Sequence, residues 1–258
     1  AAQAAYDALT DEQKQLVNGE KTATLNAAVT KLAELKREKL LTEMDDIYAS
    51  VGKNLQAQVN KSAPIVGSIG GEWLALGLVR SGRTVPAGYY GNVVEYVREN
   101  IDANGRLHRA KSTDNARVIL ALTAIGKDVT NVGGHDLLKG LDSMSYINKQ
   151  GINGPIFALI ALDSHDYPTS GEVTREKLVQ AILDARSSSD GGWSLDDKSA
   201  DVDMTAMAIQ ALAPYYKTDA KVKDAVDKAL ALLSTMQQAD GGFASWGAAN
   251  SESCAQVI

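Results

Sequence analysis

The 258-residue chain has one cysteine, three histidines and two phenylalanines, and only 5% of its residues are aromatic. A lone Cys254 excludes an internal disulfide, although it does not exclude secretion. No apolar run is long enough to cross a bilayer; candidates such as Val118-Ile119-Leu120-Ala121-Leu122 are short and sit in helical periodicity. Positive charge is in deficit, with 26 Lys and Arg against 32 Asp and Glu and a formal net charge of −6. That balance argues against nucleic acid as the main partner, because such binding needs a basic face to displace counterions. No secretory leader pattern opens the sequence. The remainder, 45% hydrophobic and 22% charged, is the composition of a soluble globular protein, and the length allows one large domain plus a small one.

What is present is a pattern that occurs twice. Asp190-Gly191-Gly192-Trp193 is followed by Asp203-Met204-Thr205-Ala206-Met207-Ala208-Ile209, and Asp240-Gly241-Gly242-Phe243 by Glu252-Ser253-Cys254-Ala255-Gln256-Val257-Ile258. A recurrence after about fifty positions marks stacked supersecondary units. Aligning the apolar cores extends the series to five helices of one kind, starting near Gly67, Thr113, Asn153, Asp203 and Glu252, and apolar nearly all round as buried helices are. Amphipathic helices are expected between them, over 92–101, 136–147, 174–185 and 221–236. No strand pattern of any length is visible. The last helical pattern, from Glu252, lacks a C-cap, as expected of a chain that continues beyond Ile258.

Residues 1–62 differ. They are rich in Ala, Leu, Lys, Glu and Gln, all good helix formers. Thr10-Asp11-Glu12-Gln13 is a capping-box pattern, which predicts one helix ending near Leu9 and another beginning at Asp11. Asn18-Gly19 is expected to close that short helix. Leu25, Val29, Leu32, Leu35, Leu40, Leu41, Met44, Ile47, Tyr48 and Val51 form a stripe at three-to-four spacing. It predicts one or two amphipathic helices, packed on each other or on the segment C-terminal to them. The division is therefore a helical spacer over 1–62 and an all-α repeat domain over 63–258.

Alternating inner and outer helices joined by Asp-Gly-Gly-aromatic turns resemble the α/α-toroid of the terpenoid cyclase and protein prenyltransferase superfamily. Gln237-x-x-x-Gly241-x-Phe243 is similar to the Gln-x-x-x-Gly-x-Trp pattern of squalene-cyclase repeats, and Ser187-x-x-x-Gly191-x-Trp193 is similar with the Gln replaced. The resemblance implies about six helix pairs in a closed ring. Five inner helices, the last incomplete, would leave an apolar seam. Residues 4–14 resemble helical linker modules of Gram-positive surface proteins.

Several residues of this repeat domain could carry chemistry. Asp201-Val202-Asp203-Met204-Thr205-Ala206 resembles the Asp-x-Asp-Asp motif of class II terpene cyclases, whose protonated Asp must be buried and held neutral. Asp203 matches the proton donor, with Asp201 beside it, but Met204 stands where the motif ends in Asp, and few aromatics are present to shield a cation. The alternative is that Asp203 caps a helix. The same choice between cap and ligand holds for Asp114, Asn153 and Glu252, which also fall at inner-helix starts and would ring the barrel mouth. Trp193, Phe243 and Trp246 either line a pocket or pack between helices.

Glu252-Ser253-Cys254 faintly resembles the zinc pair of prenyltransferases. A catalytic zinc needs three protein ligands, and His108, His135 and His165 all precede the pair, so no metal is expected and Cys254 reads as a small apolar residue. Asp190, Asp196, Asp197, Asp201 and Asp203 form an acidic loop without the regular ladder of a Ca²⁺ site. Arg106, His108, Arg109 and Lys111 form a basic cluster that is either an anion site or a wet loop.

Three functions stand as expectations. The first is a non-catalytic, extracellular or cell-surface toroid without cofactor, binding a small ligand or a surface partner at its mouth through Asp114, Asn153, Asp201, Asp203, Trp193, Trp246 and Glu252. The transcobalamin and intrinsic-factor group, which shares the fold, has a segment similar to 201–208. The second is a degenerate cyclase using Asp203 as acid. The third is an architectural module of a longer surface protein.

Overall fold

A computed structural model describes residues 1–258 except Ile69, Asp197, Lys198 and Trp246. It divides into two compact units, 1–58 and 59–258.

The first unit is helical throughout. α1 covers Ala2–Asp7, α2 covers Asp11–Gln15 and α3 begins at Gly19 and runs to Val59. The capping box at Thr10 forms as its spacing predicts. Gln13 N–H donates to Thr10 Oγ1 at 3.3 Å, and Thr10 N–H donates to Gln13 Oε1 at 2.9 Å. Asn18 has the opposite role from the one expected. Its Oδ1 accepts the Glu20 N–H at 2.8 Å, so it opens α3 instead of closing α2.

From there α3 continues as a single 41-residue helix. No proline interrupts it and its composition favours helix at nearly every step. The expected packing of its apolar stripe is not found within this unit: Leu32, Leu35, Leu40, Met44, Ile47 and Val51 are all about half exposed.

The second unit is an all-α array. The helices expected as inner ones are α4 (Glu72–Arg80), α6 (Ser112–Ala124), α8 (Asn153–Asp163), α10 (Val202–Leu212) and α12 (Ser251–Val257), inner and outer being names for the two kinds of helix. Each packs on the next, α4 on α6, α6 on α8, α8 on α10 and α10 on α12. Buried residues lie all around α8 (Pro155, Ile156, Ala158, Leu159, Ala161, Leu162), which is why no single apolar stripe marks it. Outer helices α5 (Tyr89–Asn100), α9 (Arg175–Asp184) and α11 (Ala220–Met236) are amphipathic and bury one face each, as with Leu178, Val179 and Ile182 of α9. α9 packs on α8 and α11 on α10.

The segment expected as an outer helix over 136–147 is broken. A 3-10 turn at Leu137–Leu141 gives way to a short α7 (Met144–Ile147) and a second 3-10 turn at Asn148–Gln150. Asn115 Nδ2 holds the Leu137 carbonyl at 3.0 Å, and a Cβ at Gly140 would meet that same amide nitrogen at 2.2 Å. Ser143 then recaps the chain by accepting the Tyr146 N–H. A two-residue antiparallel pair, β1 (Ala244–Ser245) with β2 (Ala248–Ala249), interrupts the helices once among the described residues.

The fourth residue of an inner helix ties the preceding glycine turn to that helix. Trp193 N–H donates to Thr205 Oγ1 at 3.0 Å, and Phe243 N–H donates to Cys254 Sγ at 3.3 Å. A third turn shows the same bond although its sequence hides it: Leu107 N–H donates to Asn115 Oδ1 at 2.9 Å. Gly105, Gly191 and Gly241 all sit at positive φ (76°, 81° and 87°), which glycine adopts without Cβ strain. Thr205→Val keeps the shape but strands the buried Trp193 N–H. It should lower unfolding free energy by about 1–3 kcal/mol in urea titration. Cys254→Ser, which keeps an acceptor, should cost less than about 1 kcal/mol.

Candidate functional site

Two of the five inner-helix starts, those of α10 and α12, carry a side-chain cap, and in neither is it the residue expected to cap. Asp201, not Asp203, caps α10, its carboxylate accepting the Met204 N–H at 2.8 Å. Asp203 lies within the first turn, and its Oδ1 is buried with no hydrogen-bond partner among the described residues. Burial, and secondarily the neighbouring Asp203 charge, raise the Asp201 carboxyl above its ordinary range, against the pull of the Met204 N–H.

Asn250, not Glu252, caps α12, accepting from Glu252 N–H at 2.9 Å and Ser253 N–H at 3.0 Å. Glu252 is exposed and accepts from Ser251 Oγ. Asn153 begins α8 at a start that has no side-chain cap. Asp114 is the third residue of α6, where the Thr113 N–H is satisfied from afar by Gln150 Oε1 at 3.1 Å. Among the described residues, no hydrogen bond or ion pair joins these four starts to one another.

Asp114 belongs to a buried ion network that the sequence did not reveal. Arg117 donates from Nε to Glu72 Oε2 at 2.9 Å and places Nη2 at 3.3 Å from Asp114 Oδ1. Glu72 is 1% exposed and also accepts the Gly67 N–H at 2.7 Å. Breaking one partner of such a set leaves a buried charge, so the network locks α4 to α6. Burial, with Glu72 nearby, pushes the Tyr89 hydroxyl pKa well up.

The remaining candidates separate cleanly. Trp193 has no accessible surface, and its indole N–H donates to the Ile182 carbonyl at 2.7 Å. It anchors α9 to the turn. Phe243 is buried too, among Val202 and Leu233. Trp246 and Asp197 lie outside the described residues. Asp190 uses both carboxylate oxygens on the backbone, taking the Gly192 N–H at 3.3 Å and the Ala200 N–H at 2.8 Å. Burial works to raise its carboxyl, but these bonds and one from Ser187 hold it below the ordinary range.

His108 Nδ1 accepts the Ala110 N–H, and His165 stacks on Tyr167. Among the described residues no three His, Cys, Asp or Glu side chains gather as a metal would require. In the basic loop, the Arg106 guanidinium covers the Tyr146 ring at 4.3 Å.

A cleft of about 680 Å³ opens where α8 begins and α9 ends. Ile152 and Pro155 form one wall, Arg186 and Ser188 the other, and Ser194 and Leu195 lie after the Asp-Gly-Gly-Trp turn. Ser194 is 6% exposed and its Oγ has no hydrogen-bond partner among the described residues, while Leu195 is 61% exposed. Arg186 Nη1 is also buried without a hydrogen bond among the described residues, and lies 3.8 Å from Asp224 Oδ2, which is not part of the cleft. Buried polar atoms of this kind call for a partner, and concave sites with a few fixed polar groups are where small ligands bind. The one sequence signal for this cleft is the Ser187-Ser188-Ser189 run beside the turn, which reads only as part of a repeat.

No family model matches the chain, and no curated protein or solved structure matches it either.

Asp201 yields a pH prediction. Its native pKa is raised above the ordinary 3.8, so the folded state binds more protons than the unfolded state in that window. Stability from this group is therefore greatest in acid and declines as pH rises through the native pKa. Asp201→Asn keeps a capping acceptor and should remove that decline in urea melts between about pH 3.5 and 7, whereas Asp201→Ala should cost about 1 kcal/mol at neutral pH.

Proposed function

We propose that the 59–258 unit is a non-catalytic binding module of a bacterial surface or secreted protein. Its inner helices curl about a common centre, and it takes a small ligand in the cleft between α8 and α9. The observation that carries the reading is the buried, unsatisfied Ser194 hydroxyl in a large cleft rimmed by Leu195. The successive packing of α4, α6, α8, α10 and α12 supports the curl, since hairpins with one glycine turn per repeat rotate by a similar step each time.

A second reading, acid-initiated cyclisation through Asp203, draws on one observation: its Oδ1 is buried without a partner beside the raised Asp201 carboxyl. Two facts weigh against it. Met204 replaces a carboxylate of the motif. The one aromatic pair between inner helices among the described residues is Trp73 with Phe157.

Thermal-shift titration with a panel of amino acids, dicarboxylates and monosaccharides tests the binding reading. At least one class should raise the Tm, and Ser188→Trp, which fills the cleft from its rim, should abolish that shift without lowering the basal Tm. Asp203→Asn should leave both unchanged. Turnover of squalene or geranylgeranyl diphosphate that disappears in Asp203→Asn would replace the binding reading by the cyclase one. The curl has its own measurement. With inner helices about 10 Å apart, spin labels on α4 and α12 should lie about 20 Å apart in a ring lacking one step, and about 40 Å apart in a straight stack.

A further inference from the structure

α3 presents an apolar face whose order is close to palindromic. Successive residues advance by about 100° around a helix axis, so Val29, Leu40 and Val51, eleven apart, stay within about 20° of one line. Leu25, Leu32, Met44, Ile47, Tyr48 and Leu55 fall within about 80° on either side of that line. Along it Leu32 is 54% exposed, Leu40 56%, Met44 48%, Ile47 63% and Val51 50%.

Outward from Leu40, most apolar positions of this face recur in mirrored order, with Lys36 opposite Met44 and Ala33 opposite Ile47. Leu32 mirrors Tyr48, Val29 mirrors Val51, Leu25 mirrors Leu55, and the basic Arg37 mirrors the acidic Glu43. A contact between identical chains related by a two-fold axis must be complementary to itself. A mirrored face with opposite charges at mirrored positions meets that requirement when the two helices run antiparallel.

The flanking charges agree with this orientation. Arg37 and Glu43 lie about 60° to either side of the Leu40 line, where they border the face, whereas Asp45 and Asp46 lie on the opposite side of the helix. Lys31 pairs with Glu34 and Lys39 with Glu43 along the helix, while Lys36, Arg37, Asp45 and Asp46 enter no ion pair among the described residues. A parallel pair would set like charges side by side; an antiparallel pair sets Arg37 of each helix against Glu43 of the other.

We propose that α3 pairs antiparallel with α3 of a second copy of this chain, across a two-fold axis at Leu40. The contact from Leu25 to Leu55 runs about 45 Å. A helix face of that length removes on the order of 800 Å² per chain from water, the amount a stable protein pair buries. The eleven-residue spacing keeps the seam straight or slightly right-handed, so the two helices meet along its whole length without the left-handed winding of a heptad coil.

Sedimentation equilibrium of the full 258-residue chain tests this. The expected mass at micromolar concentration is about twice 27.4 kDa. Leu40→Glu, a good helix former that places two carboxylates on the axis, should shift the protein to monomer with unchanged far-ultraviolet circular dichroism. Arg37→Glu or Glu43→Arg alone should weaken the dimer about fivefold, and the two together should restore it. In a Cys254→Ala background, Leu40→Cys should cross-link to itself between chains and Val29→Cys should not. A mass of 27.4 kDa at every concentration up to about 100 µM, as when this face is covered by the chain itself, overturns the proposal. So does a dimer indifferent to Leu40→Glu, or one in which Val29→Cys cross-links to itself.

Discussion

The repeat domain is organised by one hydrogen bond, from the backbone N–H that follows a glycine turn to the fourth side chain of an inner helix. The turn must approach that helix closely, and close approach buries an amide that the turn itself cannot satisfy. Thr205, Cys254 and Asn115 are three chemically different answers to the same demand. Thr205 adds a second bond, its hydroxyl donating to the Trp193 carbonyl, and Asn115 adds two from its amide. Once the turn is fixed, the aromatic or aliphatic residue in it is aimed into the core. Trp193 is then buried between α9 and α10 with its indole N–H satisfied.

Much of this order was legible in the sequence, for a physical reason. The helical periods and the Asp-Gly-Gly turns report local backbone demands, which recur wherever the same turn is built. The capping box at Thr10 and the inner helices at 153 and 203 are of this kind. What escaped was long-range. The third turn, Asp102 to Leu107, carries Gly105-Arg106 in place of Gly-Gly and an aliphatic residue in place of an aromatic, so its likeness to the others appears only in its backbone and its bonding. The outer helix expected at 136–147 gave way because Asn115 draws in Leu137 and admits only glycine at 140. Propensity cannot foresee a side chain reaching from another helix.

The candidate site shows the same split. Acidic and amide residues at helix starts were visible, but which of them caps depends on backbone geometry one or two positions away. Asp201 and Asn250 took that role from Asp203 and Glu252 because each sits at the last extended residue before its helix. Asp114 was drawn instead toward Arg117 and the buried Glu72. The cleft at Ser194 left almost no trace, since serines beside a turn look like solvent-facing linkers until their surroundings close over them.

The amide of Thr113 is closed by Gln150, a residue on the far side of the next outer segment. Asn115 likewise reaches the carbonyl of Leu137. α6 thus relies on the segment that follows it to satisfy its own polar groups, so the two cannot be parted freely. A break inside α6 beyond Asn115 would separate both bonds from their partners. A duplication or deletion bounded by the glycine turns ahead of α6 and ahead of α8 would instead carry those partners together.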